Sequence, residues 1–189
     1  MNLPNSLTLL RVLMIPVMVL IFFSDISGRY LIAAAIFGAA AITDWLDGYL
    51  ARKLGQGTSF GAFLDPVADK LMVSVAIIIL IHELQSVPFT IAGCVIIARE
   101  IVVSALREWM AEIGERTSVR VSWLGKVKTT VQMISITVLL AIDPMAGGSW
   151  MLLMLLGYAL FMVAAVLTVW SMLLYLLAAR KAVQNSESA

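Results

Sequence analysis

The sequence has few charged residues, one cysteine and one histidine. Only 13% of its 189 residues are Asp, Glu, Lys or Arg, and the net charge of +1 says little about partners. We expect no nucleic-acid partner. A single cysteine, Cys94, excludes an intrachain disulfide. The single histidine, His82, is predicted near the outer end of a helix, away from the acidic motif discussed below, and is interpreted as solvated.

The sequence also lacks the features of a cleaved signal peptide, internal repeats and low-complexity segments. Residues 1–10 have no basic region, Arg11 interrupts the apolar stretch, and residues 24–28 contain no small-x-small cleavage site. We therefore expect the first helix to be retained. We also expect a single domain over residues 1–182, followed by a flexible tail at 183–189.

Apolar residues are abundant. They make up 61% of the chain, and the mean hydropathy is +0.99, whereas soluble domains average about 45–50% apolar residues. A membrane-spanning helix needs about 20 mostly apolar residues. The pattern predicts an all-α, polytopic membrane protein with six transmembrane helices in one bundle. The predicted spans are 6–24, 30–52, 60–82, 87–109, 124–142 and 149–178.

Basic residues are distributed unevenly between the two sets of connections. The connections at 24–29, 83–87 and 143–148 contain a single basic residue, Arg29. The opposite side collects Arg52, Lys53, Arg107, Arg116, Arg120, Lys126, Lys128, Arg180 and Lys181. Because basic residues mark the cytoplasmic side, we expect this second set and both termini in the cytoplasm.

Four aspartates stand at helical spacing within this apolar chain. Asp44 and Asp47 are three residues apart, and Asp65 and Asp69 are four apart, so each pair lies on one helix face. Antiparallel packing of the two helices would bring the four carboxylates together, where they would repel one another. A divalent cation would neutralise them, and hard oxygen ligands suit Mg²⁺, Ca²⁺ or Mn²⁺. The pattern thus predicts a metal site for phosphoryl chemistry rather than solvated charges.

The acidic stretch resembles the signature of the CDP-alcohol phosphotransferase family. The pattern D-x2-D-G-x2-A-R-x8-G-x3-D-x3-D covers 26 residues of this chain. Its eight fixed positions are Asp44, Asp47, Gly48, Ala51, Arg52, Gly61, Asp65 and Asp69. The resemblance implies a membrane-embedded transferase that uses CDP-diacylglycerol, releases CMP and works with two Mg²⁺ or Mn²⁺ ions. It also implies a homodimer among membrane lipids of the bacterial inner membrane. The distribution of basic residues places the aspartates near the cytoplasmic ends of their helices, so we expect the active site to face the cytoplasm.

The same resemblance implies roles for individual residues. Metal ligands would be Asp44, Asp47 and Asp65, whereas Asp69 would be the general base and also contact a second metal ion. The CDP-lipid would contact Asn5, Thr8, Asp47, Gly48, Ala51, Arg52 and Gly61. Three of these residues have an equally simple structural interpretation: Asn5 as a helix cap with Thr8 at the interface, and Arg52 as a marker of the cytoplasmic side.

A second group of charged residues lies near the end of the fourth predicted helix. Arg99 and Arg107 are eight residues apart and therefore near one helix face. With Lys126 or Lys128 they would form a cationic pocket for the phosphate of an acceptor alcohol; Lys126 is the residue we assign. The alternatives are a salt bridge between Arg99 and Glu100, and plain membrane-edge charge for the two lysines.

A cationic pocket favours a phosphorylated acceptor, and the surrounding sequence is similar to the family members that use glycerol 3-phosphate. The predicted reaction is transfer of a phosphatidyl group from CDP-diacylglycerol to glycerol 3-phosphate. Inositol phosphate, serine and phosphatidylglycerol are alternative acceptors. A divalent-cation transporter is an alternative of another class, because paired intramembrane carboxylates can move cations. Transporter sites, however, tend to lie at the midplane between repeats, which this sequence does not show.

Overall fold

The computed structural model of the protein consists of α-helices, with no β-strand in the part of the chain that it describes. It describes the backbone of residues 3–54, 59–113, 123–145 and 147–187. Side chains are described for residues 5–44, 61, 63–113, 127–145, 147–148, 150–180 and 184. The helices are α1 (Leu3–Phe22), α2 (Arg29–Leu54), α3 (Ser59–Leu84), α4 (Val87–Glu112), α5 (Trp123–Ala141) and α6 (Ser149–Glu187).

Each helix overlaps one of the six predicted spans, and the predicted all-α class is confirmed over the described residues. Within the residues whose side chains are described, three helices are long and apolar enough to cross a membrane: Asn5–Phe22, Val87–Glu112 and Trp150–Arg180. A shorter apolar helix runs over Val127–Ala141. These lengths are those of a membrane protein, whereas the six-span bundle and the cytoplasmic termini stay predictions.

The last helix extends further than its predicted span. α6 continues to Glu187, well into the segment 183–189 that was expected to be flexible. No glycine or proline follows Gly157, and these are the residues that interrupt helices most strongly. A polar tail therefore carries no local signal that would end the helix at residue 182.

The chain forms two compact units. The first comprises Met1–Gln85 and Met133–Gly157, and the second comprises Ser86–Gln132 and Tyr158–Ala189. The single domain expected over 1–182 stays a prediction.

In the first unit, α1 packs against both α2 and α3, which also contact each other. The Tyr30 hydroxyl, at the start of α2, donates to Glu83 Oε1 at the end of α3 over 2.7 Å. Arg29 Nη2 donates to the same hydroxyl over 2.9 Å. Because the start of α2 is tied to the end of α3, the two helices are antiparallel, as the acidic motif requires. His82, in the same region, is exposed and its ring lies edge-on to Phe23.

In the second unit, α4 and α6 pack through aromatic and apolar side chains. Phe89 stacks on Phe161 with ring centroids 4.2 Å apart, and the Ser86 and Tyr158 hydroxyls are 2.8 Å apart. Further along both helices lies a buried cluster of Val103, Met110, Tyr175 and Ala179. This packing aligns the polar residues of α6 with the basic residues of α4.

Candidate active site

Two aspartates of the acidic motif converge on one arginine. Arg11 of α1 places its Nη1 atom 2.8 Å from Asp44 Oδ1 and 3.1 Å from Asp65 Oδ1. Asp44 belongs to α2 and Asp65 to α3, so the two ion pairs join three helices. The antiparallel arrangement of α2 and α3 thus brings together one carboxylate from each half of the motif.

The three side chains of this group differ in exposure. The Arg11 side chain is 1% exposed, whereas those of Asp44 and Asp65 are 39% and 41% exposed. The guanidinium therefore lies on the closed side of the carboxylate pair, and the carboxylates stay accessible from the other side. With one cation and two acids, these three side chains together carry a net negative charge.

Other predicted site residues lie on the same helices. Asn5, Thr8 and Arg11 are spaced by three residues along α1, which places them on one stripe of the helix. Thr8 is buried and Asn5 is half-buried. On α3, Asp69 is half-buried one turn beyond Asp65. This stripe of α1 therefore carries both predicted nucleotide-contacting residues and the arginine that reaches the aspartates.

The remaining motif positions divide between described and undescribed side chains. Gly61 is half-buried in α3. Four positions lie within helix α2, but their side chains fall outside the described residues: Asp47, Gly48, Ala51 and Arg52. Among the described residues, no three acidic, histidine or cysteine side chains converge as a metal site.

The residues present fit a hard divalent cation. Carboxylate oxygens are the ligands that Mg²⁺ and Mn²⁺ prefer. Asp44 and Asp65 place one oxygen each within hydrogen-bonding distance of a single nitrogen atom, so two donors from different helices are already adjacent. Asp44 and Asp65 would hold the ion on the side away from Arg11.

A second charged group lies in the other unit, around Glu100. Its Oε1 atom accepts hydrogen bonds from Arg99 Nη1 at 2.7 Å and from Lys128 Nζ at 2.9 Å. The Lys128 side chain is 1% exposed and that of Arg99 is 8% exposed. Arg99 Nη2 also donates to Ser171 Oγ of α6 over 3.5 Å. The alternative of an Arg99–Glu100 salt bridge is therefore observed, and Lys128 shares the same carboxylate.

Arg107 joins this group through an aromatic ring. Arg107 Nη2 donates to the Tyr175 hydroxyl over 3.3 Å. The guanidinium carbons of Arg99 and Arg107 lie 5.9 and 5.3 Å from the centroid of the Tyr175 ring, within the range of cation–π attraction. The two arginines that the sequence placed on one helix face thus share one tyrosine. The side chain of Lys126, predicted as the third cation, falls outside the described residues.

Sequence reasoning assigned no site role to Arg11 or to Tyr175. A signal for Arg11 existed, because it is the only charged residue in the first predicted span and buried charges need partners. A weaker signal for Tyr175 existed too. Thr168, Ser171 and Tyr175 recur at intervals of three and four in the otherwise apolar stretch 159–179, which marks one polar stripe.

Together, the long apolar helices are those of a membrane protein, and two of its helices bring a pair of carboxylates together. The chain belongs to the CDP-alcohol phosphatidyltransferase family, whose model matches residues 1–181. It is 52% identical over 179 residues to proteins named CDP-diacylglycerol–glycerol-3-phosphate 3-phosphatidyltransferase from Shigella flexneri serotype 5b (strain 8401) and Escherichia coli (strain K12). Each match covers 95% of this chain and 95% of the relative. The family that the acidic motif resembles is thereby confirmed.

Proposed function

We propose that the protein transfers the phosphatidyl group of CDP-diacylglycerol to glycerol 3-phosphate, giving phosphatidylglycerophosphate and CMP. The observation that carries this proposal is the 52% identity, over 95% of both chains, to enzymes named for that reaction. The convergence of Asp44 and Asp65 supports it, because paired carboxylates can hold divalent ions and such ions bind a diphosphate.

The reaction exchanges one phosphorus–oxygen bond for another. A glycerol hydroxyl attacks the lipid-side phosphorus of the diphosphate in line, and the bond between that phosphorus and the bridging oxygen breaks. CMP leaves with the electron pair. Asp69 takes the proton of the attacking hydroxyl as general base, and its place on α3, one turn beyond Asp65, supports this role.

Binding of the nucleotide end involves the acidic motif and the first helix. Asp44, Asp47 and Asp65, with a contribution from Asp69, would hold Mg²⁺ or Mn²⁺, two ions in all. When bound, these ions neutralise the diphosphate and the charge that develops on the leaving CMP. Residues proposed to contact the CDP-lipid are Asn5, Thr8, Asp47, Gly48, Ala51, Arg52 and Gly61. The position of Asn5 and Thr8 on the stripe of Arg11 favours this role for them over helix capping alone.

Binding of the acceptor phosphate is assigned to Arg99, Arg107 and Lys126. Arg99 and Lys128 pair with Glu100, and Arg107 contacts Tyr175 beside Arg99, so this group of described side chains has three cations and one acid. Arginine is well suited to phosphate because its planar group offers several donors. Serine would need fewer cations, so this charge balance favours a phosphorylated acceptor.

The chain's setting is proposed from the sequence and from its relatives. We place the protein in the bacterial inner membrane with six spans, both termini in the cytoplasm and the site open to the cytoplasm, as a homodimer. The relatives are bacterial, and the basic residues lie on one predicted side. This placement would give a soluble nucleotide and a soluble acceptor access to the site.

The test is CMP release from CDP-diacylglycerol in detergent micelles that contain the purified protein. Release is expected with glycerol 3-phosphate and much less with inositol phosphate, serine or phosphatidylglycerol. It should stop after chelation with EDTA and return with Mg²⁺ or Mn²⁺. Asp44→Asn should abolish it, whereas Asp25→Asn, at an exposed connection, should not.

Two outcomes would reject the proposal. Full CMP release after thorough chelation would reject the metal-dependent mechanism, and equal release with serine would reject the acceptor. If the wild-type protein released no CMP but carried divalent cations into liposomes, and Asp44→Asn stopped that flux, the transporter alternative would be favoured.

A further inference from the structure

Arg11 occupies an unusual position for a residue of an apolar helix. One of its nitrogen atoms, Nη1, contacts a carboxylate oxygen from each of two helices, at 2.8 Å to Asp44 and 3.1 Å to Asp65. Its side chain is almost fully buried, whereas both carboxylates are about two-fifths exposed. The cation therefore closes the inner side of a carboxylate pair whose outer side is open.

These contacts of Arg11 reduce two unfavourable electrostatic energies. A buried guanidinium without a counter-charge is strongly unfavourable, and so are two adjacent carboxylates without a cation. Asp44 and Asp65 supply the counter-charge that the buried Arg11 guanidinium needs. Arg11 in turn supplies the cation that reduces the repulsion between the two carboxylates. An ion pair that only joins two helices would need one of these acids, yet the same nitrogen atom contacts both of them.

We propose that Arg11 is the resident counter-ion of the metal-free site. It holds Asp44 and Asp65 together before a divalent ion binds on their open side, and its charge weakens the affinity of the pair for that ion. Arg11 is thus a positioning residue that keeps metal binding reversible. The inference depends on the proposed function only in requiring that a divalent ion binds these carboxylates.

The proposal makes a prediction about metal binding that a packing role does not make. Replacing Arg11 with glutamine removes the charge and leaves a polar side chain of similar reach. The metal-free carboxylates then repel each other without compensation, so a divalent ion relieves more repulsion when it binds. Arg11→Lys keeps the charge and should bind the ion nearly as the wild type does.

The experiment measures Mn²⁺ binding to the detergent-solubilised protein by electron paramagnetic resonance, together with thermal denaturation with and without Mn²⁺. For Arg11→Gln we expect a dissociation constant lower by about threefold or more, since a unit charge a few ångströms away is removed. Its melting temperature without metal should fall, and the increase caused by Mn²⁺ should exceed that of the wild type. Arg29→Gln, an arginine at the start of α2 that contacts Ser24 and Tyr30, is the matched control and should bind Mn²⁺ as the wild type does.

The outcomes separate this inference from the proposed function. Equal or weaker Mn²⁺ binding by folded Arg11→Gln, with normal binding and CMP release by the wild type, would overturn the inference alone. A wild-type protein that binds no Mn²⁺ would overturn the metal-dependent function as well. If Arg11→Gln does not fold without metal, purification in Mn²⁺ should recover it. If Mn²⁺ does not recover Arg11→Gln while Arg11→Lys folds normally, Arg11 has only a structural role, and the proposal is rejected.

Discussion

Lys128 Nζ lies 2.9 Å from Oε1 of Glu100, so a buried lysine of α5 is paired with an acid of α4. The same oxygen accepts a hydrogen bond from Arg99 at 2.7 Å. Arg99, a cation of the proposed acceptor site, and its neighbour Lys128 are therefore held by one carboxylate. This shared acid fixes where the two cations lie while leaving their combined charge only partly neutralised.

We predict that Glu100→Gln destabilises the protein by roughly 3 kcal/mol, because breaking a buried ion pair leaves uncompensated charge on Arg99 and Lys128. Thermal denaturation in detergent measures the loss. Glu108→Gln, an exposed acid on the same helix, should change stability little. Adding Lys128→Met to Glu100→Gln should restore part of the loss, and additive effects of the two substitutions would contradict the pairing.

We predict that Tyr175 sets the affinity for the acceptor by aligning Arg99 and Arg107. Tyr175→Phe removes the hydrogen bond from Arg107 but keeps the ring, so the KM for glycerol 3-phosphate should rise about two- to fivefold. Tyr175→Leu also removes the cation–π contacts and should raise it about tenfold or more. The KM for CDP-diacylglycerol should stay unchanged in both variants.

The control for Tyr175 is Tyr158→Phe on the same helix. The Tyr158 hydroxyl pairs with Ser86 and makes no described contact with an arginine, so its loss should leave both KM values unchanged. An unchanged KM for glycerol 3-phosphate in Tyr175→Leu would separate Tyr175 from the acceptor site.

The helices of this protein could be predicted from sequence more fully than its site. Each predicted span is a long apolar run, and such a run predicts a helix; among the described residues, three of the helices are long and apolar enough to cross a membrane. The spacing of the aspartates predicted two helix faces, and the structure brings together Asp44 and Asp65 from them. Spacing within one helix does not reveal which side chain of a third helix lies between them, and so it did not reveal Arg11.

Spacing within one helix also could not reveal the contacts that the basic residues of α4 make with other helices. The eight-residue interval predicted that Arg99 and Arg107 lie near one face of α4. Their common partner, Tyr175, is 68 residues from Arg107 along the chain, and only the packing of α4 against α6 brings them together. Lys128 and Lys126 could not be distinguished from sequence because both lie at the start of one helix.

We predict that Thr168→Val stabilises the protein. Thr168 is fully buried, and its Oγ1 atom has no hydrogen-bond partner among the described residues. An unpaired buried hydroxyl costs about 1–3 kcal/mol, and valine has nearly the same shape. Thermal denaturation should therefore show a higher melting temperature. Thr90→Val, which removes a hydroxyl that donates to the Ser86 carbonyl at 3.0 Å, should not raise it. A lower melting temperature for Thr168→Val would show that this hydroxyl has a partner after all.

We predict that Asp69→Asn lowers kcat for CMP release about 10²- to 10⁴-fold, the usual contribution of a general base. Asparagine keeps the shape of the side chain but cannot accept the proton of the attacking hydroxyl. Because Asp44 and Asp65 still converge, Mn²⁺ binding measured by electron paramagnetic resonance should persist in Asp69→Asn and be lost in Asp44→Asn. Asp69→Glu should recover part of the rate, since it restores a carboxylate at an altered distance. If Asp69→Asn lost Mn²⁺ binding to the same extent as Asp44→Asn, Asp69 would be a metal ligand first, and the proton would have to pass to another group.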